Sequence, residues 1–415
     1  MDINRYKYLI VGGGVAGTTA AETIRQKEPD ASIAVVSDEP YGLYSRVMLS
    51  KPNFFLGKIP FDEVWLKGNE WYQKNNIAFL GGKKATAIDA KNKIVSLADG
   101  SQISYEKLLL ATGVCARHLE VPGADKKGIY YLRTLEDGKA IMAAIKSAKA
   151  AAIVGGGFIG FEMAELLKMA GLDTTIIIRE SYFWEPALDE DSGRMIEKAL
   201  KDAGVKIIYK AEVAEIIGKD SVEAVVLKDG SRIECDMIIC GIGAGCDLDS
   251  LKDSGFNVNR GILTNEYLET NLSDVWAAGD AAEFKDLILD ETIQLGNWVN
   301  AHEQGRIAGL NMVDKKTPFK FVSFYTTSGF GLSIAFVGDV RLGPDRIVVK
   351  RGSPEINSYA RIIVLDKGNR KEVEGATLIN RTSEMSAIAK LIESNIDVSQ
   401  KLNELGDPNF DLKML

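Results

Sequence analysis

The feature that most constrains this chain is a glycine turn that it carries twice. Leu9 to Glu22 reads LIVGGGVAGTTAAE and Ala152 to Glu165 reads AIVGGGFIGFEMAE, 143 residues apart, with eight of fourteen positions identical. Each copy has an apolar strand pattern before it, a G-x-G-x-x-G turn within it and a small-residue helix pattern after it. A second apolar run follows each: Ile33-Ala34-Val35-Val36 in the first copy, Thr175-Ile176-Ile177-Ile178 in the second. Strand, glycine turn, helix and strand in that order predict a dinucleotide-binding βαβ unit, present twice.

The glycines have distinct tasks. Gly12 makes the tight turn, Gly14 lets the backbone approach a pyrophosphate, and Gly17 lets the helix pack closely on the strand; Gly155, Gly157 and Gly160 repeat these roles. Val15 and Ala16 open the first helix, and Phe158 and Ile159 open the second, where unpaired N–H groups and a partial positive charge face the phosphates. One such turn alone is weak evidence for a ligand; two in matching contexts are much stronger. Ser37-Asp38-Glu39 closes the second strand of the first unit, at about the ~20-residue distance where an acid binds an adenosine ribose hydroxyl, so Asp38 or Glu39 is expected there.

At 415 residues the chain outgrows one ordinary core, which predicts two or three domains. A hydrophobic share of 46% with 26% charged residues excludes a disordered chain. Lys and Arg number 50 against 58 Asp and Glu, for a net charge of −8 without blocks of one sign, which argues against nucleic acid or an anionic membrane as partner. The long apolar stretch 150–172 is interrupted by Glu162, Glu165 and Lys168, so no membrane span is predicted. No charged leader with a cleavage site precedes Tyr8-Leu9-Ile10-Val11, and the expected location is the cytoplasm. Cys115, Cys235, Cys240 and Cys246 form no C-x-x-C and fit neither a zinc site nor a disulfide framework, so reduced thiols are expected, with Cys115 as a small buried hydrophobe. His118 and His302 are too few for a histidine-rich metal site, and no metal is expected.

Two further motifs, Ala111-Thr112-Gly113 after Leu108-Leu109-Leu110 and Val275-Trp276-Ala277-Ala278-Gly279-Asp280, complete an ordered set of four. Over roughly residues 5 to 312 the chain resembles the two-dinucleotide-binding flavoprotein reductases of the pyridine nucleotide-disulfide oxidoreductase superfamily. The resemblance implies an α/β fold of two Rossmann-like domains, the NAD domain inserted into the FAD domain, followed by a C-terminal α+β domain. The boundaries expected are 1–118 with 247–318 for FAD, 119–246 for NADH or NADPH, and 319–415 for the C-terminal interface domain. It also implies that Asp280, after Gly279, binds the flavin ribityl chain, that Ala111, Thr112 and Gly113 line the crossover between domains, and that Trp298 opens the helix beside the flavin pyrimidine ring. Arg46, Ala85, Arg117 and Gly243 are further cofactor contacts implied in the same way.

The subgroup follows from what is missing. The region Tyr41 to Lys51, where related enzymes carry a redox cysteine, has none, which argues against thiol relay chemistry. Tyr44-Ser45-Arg46 through Leu49-Ser50-Lys51 is similar to the Y-x-R-x-x-L-S-K segment of ferredoxin and rubredoxin reductases and of the reductase module of assimilatory nitrite reductases. By that resemblance Lys51 lies beside flavin N5, paired with Glu162, and these two are the expected catalytic residues. A fixed cation there stabilises the reduced ring, and the carboxylate keeps the ammonium protonated.

The implied activity is an FAD-dependent NAD(P)H reductase of a small redox protein such as ferredoxin or rubredoxin, as a homodimer or a subunit of a larger redox complex. The alternatives are an NAD(P)H oxidase, a nitrite-reductase-type module and a non-catalytic flavoprotein subunit. Ile178-Arg179-Glu180 leaves NADH against NADPH open: Arg179 suits a 2′-phosphate, but the second arginine expected a turn later is absent and Glu185 stands near that point. Cys246 lies where relatives commonly show an Arg-Pro-Asn turn, which puts that loop's usual NAD-domain contact in question. Beyond Phe319, the runs 321–325, 332–337 and 361–365 predict antiparallel strands, and Met385, Ile388, Ala389 and Ile392 share one face of a helix over 385–394. The tail 405–415 reads as a mobile end or a docking element.

Overall fold

Both glycine turns fold as the strand pattern around them requires. The computed structural model describes residues 3–415. They form two compact units, one from 3–45, 62–115 and 244–321, the other from 46–61, 116–243 and 322–415.

In the first unit, strand Asn4–Val11 lies between Ile33–Ser37 and Gln102–Leu110, parallel to both, with Ile77–Gly81 outside Ile33–Ser37 and Val275–Ala277 outside Gln102–Leu110. Leu9, Ile10, Val35 and Leu109 are buried because helices or loops cover both faces, and this is why these strands read as continuous apolar runs and not as an alternation. Helix Val15–Lys27 packs against helix Trp298–Met312 through small residues. A Cβ on Gly305 would lie 2.2 Å from the Ala16 carbonyl oxygen, so only glycine admits this approach. Asn297 caps the later helix by accepting a hydrogen bond from the Asn300 N–H at 2.8 Å.

In the second unit, five parallel strands run in the order Ile129–Tyr131, Met237–Cys240, Ala150–Val154, Asp173–Ile177 and Lys206–Ile208. A separate antiparallel sheet follows the order Phe324–Gly329, Leu332–Gly338, Lys371–Ile379, Ser358–Asp366 and Arg346–Ser353, with helix Met385–Ser394 on it. Several polar contacts join this sheet to the helices and loops around the parallel one. Asp189 caps helix Glu190–Asp202 through the Ser192 N–H and also accepts the Tyr359 hydroxyl at 2.8 Å; Glu165 accepts the Phe330 N–H at 2.6 Å. The short helix Pro52–Phe55 starts with proline at its first position, where the missing N–H costs nothing.

Two expectations are corrected. Cys115 is exposed, not buried, because it lies just beyond the apolar strand Gln102–Leu110 in a surface strand of only two residues, Cys115–Ala116. The tail is not a free end: it is seated on the protein's own edge strand. Arg351, 1% exposed, pairs with Glu384 and donates to the carbonyls of Leu405 at 3.3 Å, Asp407, and Phe410 at 2.6 Å. A buried guanidinium needs that many acceptors, which explains why a stretch without a motif is ordered. No described helix is long and apolar enough to cross a membrane. Among the described residues no cluster of His, Cys, Asp and Glu could hold a metal ion.

Candidate dinucleotide and redox sites

The two turns are geometric copies. Gly12 has φ +123°, and a Cβ there would meet the Ala111 carbonyl oxygen at 2.1 Å; one on Gly17 would meet the Gly12 carbonyl oxygen at 2.0 Å. Gly155 has φ +105° with Gly241 O at 2.4 Å, and Gly160 has Gly155 O at 2.1 Å. The middle glycines differ in kind. A Cβ on Gly14 meets nothing within 4 Å, and one on Gly157 meets only Gly241 O at 3.8 Å. Both are extended N-cap residues without a side-chain cap, so each helix presents bare N–H groups to an open hollow that a side chain would fill. Such a hollow suits a pyrophosphate, and the residues present at both turns fit a dinucleotide. Val15 and Ala16 form the first turn of one helix, and Phe158 and Ile159 that of the other. The Phe158 ring packs on Tyr325 and Trp184, with centroids 4.0 and 4.8 Å away.

At the end of strand Ile33–Ser37 the two candidate acids part company. Asp38 is exposed and accepts only the Glu39 N–H in the described structure, whereas Glu39 is half-buried and accepts the Tyr44 hydroxyl at 2.7 Å. Ala111 is buried, Thr112 is exposed, and the Gly113 carbonyl lies 3.8 Å from the Cys246 sulfur. Gln294 donates to the Asp280 carbonyl at 2.7 Å and lies 3.3 Å from the same sulfur, whose thiol is pushed up by burial. Sequence reasoning missed Gln304. Its side-chain oxygen accepts the Gly279 N–H at 2.8 Å, and its Nε2 is buried without a partner, as is Asn300 Oδ1 on the same helix. Orphaned buried polar atoms beside Gly279 and Asp280 suit a site that a hydrogen-bonding cofactor completes. Trp298 is half-buried at the start of that helix, and Ala85 is half-buried on strand Ala85–Asp89.

In the second unit, Arg46 donates to the Arg133 carbonyl at 2.7 Å, and the Arg117 N–H donates to the carbonyl of Gly243, which has φ +100°. Arg179 is exposed and faces Glu180 at 3.4 Å. Lys51 and Glu162 meet: Lys51 Nζ lies 2.5 Å from Glu162 Oε1, with the carboxylate side chain 5% exposed and the lysine 34%. Two donors that sequence reasoning missed complete the carboxylate. Ser50 Oγ donates to Glu162 Oε2, and Thr327 Oγ1 donates to Oε1 at 2.6 Å. A buried carboxylate without partners would cost several kcal/mol, roughly, and this one has its ion pair and two hydroxyls. Ser50 could have been noticed as the neighbour of Lys51; nothing around Thr327 signals its role. Burial and then the Glu162 charge push the Tyr325 phenol up. Burial also pushes the Cys235 and Cys240 thiols up to about 12, which leaves both unsuited to redox exchange.

A double dinucleotide fold with a lysine ion-paired to a buried glutamate is the architecture of a flavin- and nicotinamide-dependent oxidoreductase. The chain belongs to the pyridine nucleotide-disulphide oxidoreductase family, whose pattern matches residues 6–305. It is 30% identical to the biphenyl dioxygenase system ferredoxin–NAD(+) reductase component of Paraburkholderia xenovorans, over 97% of both chains. It is also 30% identical to the nitrite reductase [NAD(P)H] of Bacillus subtilis, over 96% of this chain, and spans only 48% of that relative's length. The crystal structure of the covalent putidaredoxin reductase–putidaredoxin complex superposes with a TM-score of 0.90 at 27% identity, covering 99% of this chain and 98% of that one. The protein is an NAD(P)H-dependent flavoprotein reductase with FAD as its second cofactor.

Proposed function

We propose that the protein oxidises NAD(P)H and delivers the electrons singly to a small iron–sulfur carrier of the ferredoxin or rubredoxin type. Residues 1–118 and 247–318 serve as the FAD-binding part, 119–246 as the NAD(P)H-binding part and 319–415 as the interface part, in the cytoplasm. Bound FAD supplies the conversion of a two-electron hydride into single electrons. The chain's own residues supply the rest. Gly12 and Gly14 admit one pyrophosphate, Gly155 and Gly157 the other, and Glu39, tied by Tyr44, orients toward the adenosine ribose. Asp280 takes the ribityl hydroxyls as a charged acceptor. Lys51 would supply a fixed cation to the flavin, and Glu162 holds that ammonium in place.

The observation that carries this reading is the ion pair of Lys51 with the buried Glu162 in a chain whose segment Tyr41 to Lys51 has no cysteine. With no thiol available there, electrons must leave the flavin directly. A ferredoxin–NAD(+) reductase component and a reductase–putidaredoxin complex among the similar proteins support a carrier as the acceptor. The test is anaerobic stopped-flow reduction with NADH and with NADPH, followed by mixing with a panel of ferredoxins and rubredoxins. Rapid reoxidation by one carrier is expected. Reoxidation by dioxygen alone would overturn the proposal and favour the oxidase reading.

A further inference from the structure

Glu162 has a second partner on the oxygen that holds Lys51, and it comes from the part of the chain without a recognisable motif. Thr327 is buried on strand Phe324–Gly329, where it pairs with Ile334 of the neighbouring strand. Its Oγ1 is 2.6 Å from Glu162 Oε1, and Lys51 Nζ is 2.5 Å from the same atom, while Ser50 Oγ takes Oε2. We infer that Thr327 is a positioning residue for the Lys51–Glu162 pair, its hydroxyl fixing the rotation of the carboxylate and so the direction in which Lys51 presents its charge. The inference rests on the proposed role of Lys51 and Glu162.

The argument is one of degrees of freedom. Glu162 reaches its partners through a chain of rotatable bonds, and Lys51 follows through a longer one. With Ser50 alone on the far oxygen the carboxylate can pivot about that contact, and the ammonium moves with it. Thr327 removes the pivot from a rigid place: a β-branched side chain with restricted χ1, on a strand hydrogen-bonded within a five-stranded sheet. It also shares Oε1 with the ammonium. Without the hydroxyl, Lys51 turns toward the vacated lone pair and away from any cofactor it serves, and the carboxylate charge is less neutralised. Both changes disfavour negative charge on a reduced flavin, so they act in the same direction. A hydrogen bond to a charged group is worth about one to two powers of ten, and since Lys51 and Ser50 remain, the lower end of that range is expected.

The variants are Thr327→Val, which keeps the shape and loses the donor, and Thr327→Ser, which keeps the donor. Spectroelectrochemical flavin potential, the rate of flavin reduction by NADH and the NADH dissociation constant are measured on the FAD-loaded protein. Thr327→Val is expected to lower the potential and slow reduction by about tenfold with the dissociation constant unchanged, and Thr327→Ser to restore both within about twofold. In a Glu162→Gln background Thr327→Val should add less than about twofold, since the bond it breaks ends on that carboxylate. An unchanged potential and rate in Thr327→Val, with both altered in Lys51→Met, would overturn the inference and leave the Lys51 reading standing. No change in Lys51→Met would overturn that reading, and the inference with it. A full Thr327→Val effect in the Glu162→Gln background, or no rescue by serine, would show that Thr327 acts through sheet packing and would also overturn the inference.

Discussion

The middle glycine of each turn should be replaceable without harm to the fold yet not without harm to the ligand, and the second turn allows the sharper trial. Gly157 has φ −72°, a conformation open to any residue, and its added Cβ would find its nearest neighbour at 3.8 Å. Alanine is a poorer N-cap by about 0.5–1 kcal/mol, and it also restricts the unfolded chain by about 0.4–1 kcal/mol, so the two effects offset each other. The melting temperature of Gly157→Ala should therefore stay within a few degrees of the parent. The methyl group stands where a pyrophosphate must touch the backbone, and a displacement of about 1 Å there costs roughly 10²-fold in flavin reduction by NAD(P)H. Gly160→Ala inverts the outcome. Its Cβ would lie 2.1 Å from the Gly155 carbonyl oxygen, so helix and strand must separate, at about 1–3 kcal/mol and a melting point lower by roughly 3–10 °C. Calorimetry and anaerobic stopped-flow on the FAD-loaded variants separate the two effects. A Gly157→Ala protein that is as stable as the parent and reduced at the parental rate would refute the assignment of this hollow to the dinucleotide.

Lys51→Met should lower the flavin potential and slow hydride transfer by about 10 to 1000-fold, with Glu162→Gln milder and the double variant little worse than Lys51→Met alone; additive losses in transient kinetics would mean the two act separately. Asp280→Ala should be recovered with little flavin, read from the 450 nm absorbance per chain, because the ribityl hydroxyls lose a charged acceptor. Alkylation at pH 8 should label exposed Cys115 and spare Cys235 and Cys240, whose thiols burial holds at about 12, as peptide mapping would show. A variant lacking all four cysteines should still take up two electrons per FAD, and uptake of four by the parent in an anaerobic titration would show that a thiol takes part.

The dinucleotide folds were legible because the physical demand and the residue type coincide: a positive φ at Gly12 and Gly155 and sub-contact approaches at Gly17 and Gly160 leave glycine as the one choice. The roles proposed for Asp280 and Lys51 rest chiefly on resemblance to a family, since an acid after a glycine and a lysine before a proline have many ordinary uses. Thr327 was beyond reach. It meets Glu162 across 165 residues, and a threonine in a strand is what an antiparallel sheet contains for reasons of shape alone. Gln304 was hidden in the same way, inside a helix of which only the opening residue, Trp298, was singled out. Cys115 misled because three leucines before it suggest a core that ends, in fact, at Ala111.

The interleaving of the two units has a consequence for the order in which the protein can be made. The five parallel strands of the second unit all lie between Ile129 and Cys240, so that sheet is complete once about the first half of the chain has left the ribosome. The first unit opens before the second, yet at that point its sheet lacks Val275–Ala277, and the helix Trp298–Met312 that covers it comes later still. The strand Asn4–Val11 must therefore wait for partners that emerge after the inserted fold has closed. Its long-range pairing makes it the slow step, and the unit exposed in the meantime is the one proposed to bind FAD. A chain truncated after residue 245 and released should already protect the inserted sheet from protease while leaving Asn4–Val11 open to cleavage.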